Sequence, residues 1–245
     1  MTGPDERQRR RHATELALAH RLATLHAAKP LAKNPRWSVA VFHHPAGSVG
    51  CTFVSTQTDS DLSLCVRIAE VTGLGIVAGV LAGQCCLETL NRSEEVDLVE
   101  LNRHFSANPP GEDAMLAAGI VRFHPEEPTW IGSFAGLAAP ISVDSEGRVE
   151  HLRGTGPFLG LTETTFPILR RTVEPGARLF VLAGSGAGER SAESIERFKA
   201  APEWALDACV ERIGRELAAD LEPGFGLMLL GIERRALPAC SAEVE

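Results

Sequence analysis

Residues 62–91 read LSLCVRIAEVTGLGIVAGVLAGQCCLETLN, and the pattern of this stretch changes once, at its first glycines. The first part, Leu62–Val71, is a short run of mostly apolar and β-branched residues, which predicts a buried strand. The second part, from about Gly75 to Asn91, is rich in small residues and long enough to form a helix. The stretch therefore predicts a strand that leads almost directly into a helix.

The elements on either side extend this pattern. Strand-like runs are separated by turns rich in Gly, Pro, Asp and Ser. The predicted strands are Trp37–His44, Cys51–Thr58, Leu62–Val71, Met115–His124, Thr129–Phe134, Ala139–Val143, Arg148–Arg153, Phe166–Val173, Arg178–Ala183 and Phe225–Glu233. The further predicted helices are Val96–Phe105, Ser191–Lys199 and Pro202–Leu221. This order predicts an α+β fold, an α-β-β-α sandwich of two antiparallel sheets flanked by helix pairs.

A separate helix is predicted at the start of the chain. Residues 5–28 contain no Gly or Pro, and Leu18, Leu22 and Leu25 recur at helical spacing. One helix cannot bury this stripe alone, so it is expected to pack on the domain or on a second chain. The expected organisation is an N-terminal amphipathic helix at 1–29, a folded domain at 30–235 and a polar tail at 236–245.

The composition is that of a globular protein with an acidic balance. The 245 residues include 24 Lys and Arg against 32 Asp and Glu, a formal net charge of −8. An acidic surface argues against general nucleic-acid binding. No apolar run is long enough to span a membrane, and no signal-peptide pattern follows the N-terminus. The six cysteines contain no CxxC pair, which favours reduced thiols, so a cytoplasmic protein is expected.

Four short motifs, taken together, resemble those of the metal-dependent serine/threonine protein phosphatases (the PPM family), in particular the SpoIIE-like bacterial branch. The motifs are Pro45-Ala46-x-x-Val49-Gly50, Val71-Thr72-Gly73-Leu74-Gly75, Gly156-Pro157-Phe158-Leu159-Gly160-Leu161 and Val173-Glu174-Pro175-Gly176-Ala177-Arg178-Leu179. The resemblance covers about residues 30–234 and implies a SpoIIE-like phosphatase fold for the 30–235 domain. In this family, Asp carboxylates hold two Mn²⁺ or Mg²⁺ ions, which activate a water to attack the phosphorus.

The carboxylate positions that the resemblance implies are largely substituted in this chain. Thr52 stands where the first Asp of the family belongs, after Gly50 and Cys51. Glu70, before Gly73, keeps the charge of the second Asp but is longer by one methylene. Gly184 replaces the third Asp, and Pro223 and Gly224 replace an Asp pair before the last strand. The remnant metal-site positions are therefore Gly50, Cys51, Thr52, Glu70, Gly73, Gly184, Pro223 and Gly224.

The substitutions suggest that the chemistry of the family is lost. A centre with one Glu cannot hold two divalent cations, because too few ligands replace the hydration that the ions give up. The resemblance therefore implies a pseudophosphatase with no catalytic residue, metal or cofactor. Such a protein would act by binding another protein, as a regulator or an assembly subunit. The family suggests a partner from a phosphoprotein switch, bound near Glu70 and Gly73 or at the 184–190 loop.

Two alternatives stay open. The first is an atypical Mn- or Mg-dependent phosphoserine/phosphothreonine protein phosphatase, which would need Glu70 together with further carboxylates such as Asp59 or Asp61. The second is a structural role, a homodimer or scaffold organised by the helix at 5–28. Neither alternative involves a membrane or a nucleic acid.

Other chemically capable residues favour structural interpretations. His43 and His44 are adjacent in a predicted strand and face opposite sides, so a shared metal is not expected. Residues 184–190, GSGAGER, lack the Lys-Ser/Thr ending of a P-loop and the spacing of a dinucleotide motif, so a loop at the edge of the remnant site is predicted. Cys51 has no evident neighbouring base and is interpreted as a small buried residue.

Overall fold

The computed structural model describes residues 6–11, 13, 14, 17, 31–44, 52–72, 83, 97–109, 115–125, 127–184, 187, 195–222 and 225–236. Its strands are β1 (Trp37–His44), β2 (Thr52–Thr58), β3 (Leu64–Thr72), β4 (Met115–Phe123), β5 (Thr129–Ala135), β6 (Ile141–Val143), β7 (Val149–His151), β8 (Ile168–Thr172), β9 (Arg178–Ala183) and β10 (Leu227–Arg234). Its helices are α1 (Val99–Ala107), α2 (Ile195–Phe198) and α3 (Leu206–Ala219), with a 3₁₀ turn at Ala201–Glu203.

The strands form two antiparallel five-stranded sheets. The first sheet has the order β1-β10-β9-β6-β7, and the second has the order β2-β3-β4-β5-β8. The α+β sandwich that the sequence predicts is confirmed. In the first sheet β10 lies between β1 and β9, and in the second β3 lies between β2 and β4.

Three apolar layers hold the sandwich together. The central layer lies between the sheets, where Val66 and Ile68 of β3 pack with Val181 of β9 and Leu230 of β10. A second layer lies between the outer face of the second sheet and α1, and a third lies between the outer face of the first sheet and α3. Because strand side chains alternate between faces, each sheet contributes to the central layer and to one outer layer.

Helix α3 is amphipathic, with an apolar stripe on one face. Leu206, Cys209, Val210, Ile213 and Leu217 are buried and recur at i, i+3, i+4, i+7 and i+11. Charged residues occupy the opposite face, where Glu211 and Arg215 form an i,i+4 ion pair. The helix therefore buries one stripe against the first sheet and exposes the other to water.

One predicted helix is interrupted. The sequence predicts a continuous helix over Pro202–Leu221, but the chain forms a 3₁₀ turn and then runs extended through Trp204 and Ala205 before α3 begins. The guanidinium of buried Arg178 donates hydrogen bonds to the backbone oxygens of Ala201 and Trp204 and pairs with Glu233 at 2.6 Å. The oxygen of Ala201 also accepts the N–H of Trp204, which closes the 3₁₀ turn. The hydrogen bonds from Arg178 hold this turn and the backbone of Trp204 outside the helix, and this explains the break.

Other predicted bounds shift by a few residues at strand and helix ends. The strands predicted at Ala139–Val143, Arg148–Arg153 and Phe166–Val173 are shorter, and the helix predicted at Ser191–Lys199 is described only over Ile195–Phe198. Between the first two strands, Asp144 accepts hydrogen bonds from the backbone N–H groups of Glu146 and Arg148. The turn therefore extends to Arg148, the residue with which the next strand was predicted to begin.

Some predictions lie mainly outside the described residues. Residues 6–11 are helical, as predicted for 5–28, but most of that segment is not described. Of the helix predicted at 75–91, Gly83 alone is described; it is helical, and a Cβ added there would lie 2.1 Å from Cε2 of Phe53. In the part of the chain that the structure describes, no helix has the length and apolar character needed to cross a membrane.

Candidate functional site

The remnant site lies at the end of the sandwich where β3 and β9 finish. Val66 and Ile68 point into the layer between the sheets, and Glu70 continues the same face of β3. Thr52 is the cross-strand partner of Glu70, so both side chains belong to that face at the edge of the second sheet. Gly184 directly follows β9 and approaches from the first sheet.

Glu70 and Gly184 are in direct contact. The backbone N–H of Gly184 donates a hydrogen bond to Oε2 of Glu70 over 2.7 Å. Glu70 is 8% exposed, so the bond lies in a largely dry layer. The structure therefore brings together three of the predicted remnant positions, Thr52, Glu70 and Gly184, around one carboxylate.

The backbone at Gly184 leaves no room for a side chain. Its φ angle is +115°, a conformation that residues with a Cβ rarely adopt. A Cβ added there would lie 2.3 Å from the backbone oxygen of Gly226 and 3.0 Å from Cα of Leu227. An Asp therefore cannot occupy position 184 without a shift of the strand that leads into β10.

The environment of Glu70 disfavours its charge. Burial raises the pKa of Glu70 above its ordinary value, and the hydrogen bond from Gly184 lowers it in part. The carboxyl is thus more easily protonated than an exposed Glu.

A residue that the sequence analysis set aside, His43, lies at the same end. Val39 and Val41 pack against the layer between the sheets, and His43 continues their face of β1. His43 pairs with Met228, which in turn pairs with Ala183, the residue before Gly184. The alternation of Val39, Val41 and His43 was the available signal for this inward position.

The pKa of His43 is lowered, first by burial and then by the neighbouring His44. His43 is half-buried, whereas His44 is exposed. The prediction that the two rings face opposite sides agrees with these exposures. His43 therefore contributes a neutral imidazole to this end of the sandwich at ordinary pH.

The carboxylates of the β2–β3 turn lie elsewhere. Asp61 accepts hydrogen bonds from the backbone N–H and the hydroxyl of Ser63, and Asp59 lies 3.6 Å from Arg122. From this turn to Glu70 the chain runs most of the length of β3, roughly 20 Å at about 3.3 Å per residue. Asp59 and Asp61 therefore do not complete a metal site with Glu70, which corrects that part of the phosphatase alternative.

The remaining predicted positions, Gly50, Cys51, Gly73, Pro223 and Gly224, lie outside the described residues. Of the 184–190 loop, the described residues are Gly184 and Ala187; the N–H of Ala187 donates to the oxygen of Gly184, and Ala187 is buried in the third apolar layer. Within the described ranges, no group of three or more His, Cys, Asp and Glu is placed to hold a metal ion.

Comparison with known proteins identifies the fold. The SiaA-PP2C domain of Pseudomonas aeruginosa superimposes with a TM-score of 0.70 at 15% identity, covering 96% of this chain and all of that one. The phosphatase domain of SpoIIE from Bacillus subtilis, solved with a fragment of its regulatory domain, gives a TM-score of 0.66 at 12% identity, covering 84% of this chain and 66% of that one. This chain has the fold of the PP2C phosphatases.

A third similar structure contains the RsbU and RsbW domains of a protein from Mycobacterium tuberculosis. It gives a TM-score of 0.64 at 17% identity and covers 84% of this chain, which spans 62% of that protein's solved chain. No protein-family model and no curated protein matches the sequence. The resemblance to the PPM phosphatases, of which SpoIIE and PP2C domains are examples, is thus confirmed at the level of the fold.

Among the described residues, those at this end of the sandwich do not fit the two-metal centre that the phosphatase resemblance implies. Thr52 offers a neutral hydroxyl, Gly184 offers no side chain, and Glu70 already accepts the Gly184 N–H. Hard divalent cations need several oxygen ligands, mostly carboxylates, around one point. In the described part of the site, the contact between Glu70 and Gly184 joins the two sheets, and the side chains do not bring several ligands to one point.

Proposed function

We propose that this protein is a pseudophosphatase, a PP2C-fold protein without phosphatase activity that acts by binding another protein. The observation that carries the proposal is the contact between Glu70 and Gly184. It uses the remaining carboxylate of the site to join the sheets, and the backbone of Gly184 excludes the Asp that catalysis in this family requires. No catalytic residue, metal or cofactor is assigned.

The proposed role is that of a regulator or an assembly subunit in the cytoplasm of a bacterium. Support comes from the similar structure in which RsbU and RsbW domains occur in one protein. One fold can host many unrelated functions, so a chain with the PP2C fold can act through another surface when the metal ligands are lost. The proposed arrangement is a SpoIIE-like domain at 30–235, an N-terminal helix at 1–29 that mediates homodimers, and a polar tail at 236–245.

A turnover assay tests the proposal. The full chain is incubated with phosphoserine and phosphothreonine peptides in the presence of Mn²⁺ or Mg²⁺, beside an active PP2C phosphatase. The expected result is no phosphate release above the rate without protein. Metal-dependent release that Glu70→Ala abolishes would establish the alternative, an atypical protein phosphatase, and would overturn the proposal.

A further inference from the structure

A groove of about 610 Å³ opens between helix α1 and the loop that follows Leu159. One wall is the face of α1 that carries Val99, Arg103 and Ser106. The other wall is the segment from Leu161 to Thr165. Nothing in the phosphatase resemblance assigned a role to this groove.

The walls of the groove are fixed to each other by Asn102. This side chain is 3% exposed, and its amide donates to the backbone oxygen of Thr162 while its carbonyl oxygen accepts from the N–H of Gly160. Gly160 has a φ of +80°, and a Cβ added there would lie 3.2 Å from the backbone oxygen of Phe105. The loop backbone is therefore pressed against α1, and the groove is formed before any ligand arrives.

The groove opens at the same end of the sandwich as the remnant site. The N–H of Leu159 donates to the oxygen of Leu116 over 2.8 Å, and the next residue along β4, Ala117, pairs with Glu70. Leu159 belongs to the outer apolar layer, whereas Glu70 points between the sheets. The groove is thus a neighbour of the remnant site on the outer face of the second sheet.

The two walls carry opposite charges. Arg103 lies on the helix wall and Glu163 on the loop wall, both are exposed, and within the described residues neither side chain makes an ion pair or a hydrogen bond. Leu161, also on the loop wall, is 62% exposed, so its side chain is available to a ligand. The groove thus offers one cation, one anion and one apolar contact.

An extended peptide segment matches this pattern. Sites for small molecules enclose most of the ligand, whereas most residues of this groove are exposed. In an extended segment, successive side chains point to opposite sides, and residues two apart share a side. Leu161 and Glu163 are themselves two apart on one wall, so an apolar and a basic residue two positions apart would face them together, with an acidic residue between them facing Arg103.

We propose that this groove binds an extended segment of a partner protein with the pattern apolar, acidic, basic. The acidic residue pairs with Arg103, the basic residue pairs with Glu163, and the apolar residue packs on Leu161. The inference rests on the proposed function for the statement that the partner is a protein, and it names the surface and the chemistry of the segment. Partly exposed ion pairs of this kind contribute modestly to affinity, but they fix the register in which the peptide binds.

Blocked hexapeptides test the inference on the full-length, isotope-labelled protein by amide chemical shifts. The first peptide contains Leu-Asp-Lys between Gly and Ser residues, the second contains Leu-Lys-Asp, and the third has Ser at all three positions. The first is expected to shift amides within 99–106 and 160–165 in a saturable way. The second is expected to bind at least about threefold more weakly, because each charge then faces its like.

Charge exchange supplies the matched control. The double variant Arg103→Glu with Glu163→Arg is expected to reverse the preference between the first two peptides, whereas Arg215→Glu on α3, at the opposite outer face, is expected to leave it unchanged. Equal binding of the first two peptides, or no saturable shift in these two segments, would overturn the inference. The peptide assay contains no metal or phosphate, so a negative result does not test whether the protein has phosphatase activity. The turnover assay tests the proposed function separately.

Discussion

The carboxylate of Glu70 accepts a hydrogen bond from the backbone N–H of Gly184, 114 residues later in the chain, at an Oε2–N distance of 2.7 Å. Glu70 ends the inward face of β3 in the second sheet, and Gly184 follows β9 in the first. The bond therefore connects the two sheets at the end where Thr52, Glu70 and Gly184, three of the predicted remnant positions, lie. Its effect on stability, and the steric closure at Gly184, can be tested separately.

Glu70→Gln tests the cost of the buried charge. Glutamine keeps an oxygen that can accept the Gly184 N–H but carries no charge to desolvate. Burial raises the pKa of Glu70 in the folded protein. Protonation of Glu70 therefore stabilises the wild-type protein. This stabilisation is fully present below the ordinary Glu pKa and is lost as pH rises through the folded-state pKa. At pH 7 the variant is expected to be more stable by about 1 kcal/mol, measured by urea denaturation.

The pH series decides between this explanation and a general effect of losing a negative charge. The advantage of Glu70→Gln is expected to shrink as pH falls from the raised folded-state pKa of Glu70 to the ordinary Glu pKa, and to change no further below it. The control Glu203→Gln, at an exposed position, is expected to change stability little at any pH. A Glu70→Gln protein that is less stable than wild type at pH 7 would contradict the claim that the buried charge of Glu70 lowers stability at that pH.

Gly184→Ala tests the steric closure of the site. Left-handed backbone costs a residue with a Cβ about 1–2 kcal/mol, and overlap with the backbone oxygen of Gly226 adds to this cost, so a loss of about 3 kcal/mol or more is expected. Gly176→Ala is the matched control, because Gly176 has a φ of +85° but the nearest atom to an added Cβ is 3.6 Å away. Equal losses in chemical denaturation would show that backbone strain alone limits position 184.

His43→Gln tests the buried imidazole. Burial lowers the pKa of His43, because the folded protein favours the neutral ring. The folded state therefore has its full stability above the ordinary His pKa, and part of it is lost as pH falls through the folded-state pKa of His43. The variant is expected to show a smaller loss of stability than wild type between pH 7 and pH 5, measured by thermal denaturation. His104→Gln, at an exposed position of α1, should keep the wild-type slope.

Arg178→Met tests the network that interrupts the predicted helix. The change leaves Glu233 without its partner, the backbone oxygen of Trp204 without the Arg178 donor and the oxygen of Ala201 with the Trp204 N–H alone, so a loss of about 3 kcal/mol is expected. The double variant with Glu233→Met should recover part of that loss. Arg197→Met, which removes a more exposed pair with Asp220, should cost less than about 1 kcal/mol in the same denaturation experiment.

The sandwich could be predicted because its signals are local. Alternation along Trp37–His44 and the stripe of Leu206, Ile213 and Leu217 each specify an element and its buried face. The interpretation of Thr52 and Gly184 as substituted ligand positions stays a prediction, since it depends on the residue type at one position in a motif. Elements with a local pattern need no knowledge of distant contacts.

The contacts that complete the site could not be predicted, because they join residues far apart in the chain. Glu70 reads locally as the end of a strand, and its bond to Gly184 depends on how the sheets pack. The helix break at Trp204 depends on Arg178, which lies in β9, whereas the local sequence around Trp204 favours a helix. His43 was considered only as one of an adjacent pair that could share a metal with His44. The inward face of β1, which His43 shares with Val39 and Val41, was not considered.

The most direct test of the central claim is a calorimetric titration of Mn²⁺ into the metal-free full-length protein at neutral pH, with the Glu70→Gln variant beside it. The account predicts no binding heat above dilution for either protein, because the residues around Glu70 form a contact between sheets and supply too few ligands for a cation. Saturable binding to the wild-type protein that Glu70→Gln removes would contradict the account and identify Glu70 as a metal ligand.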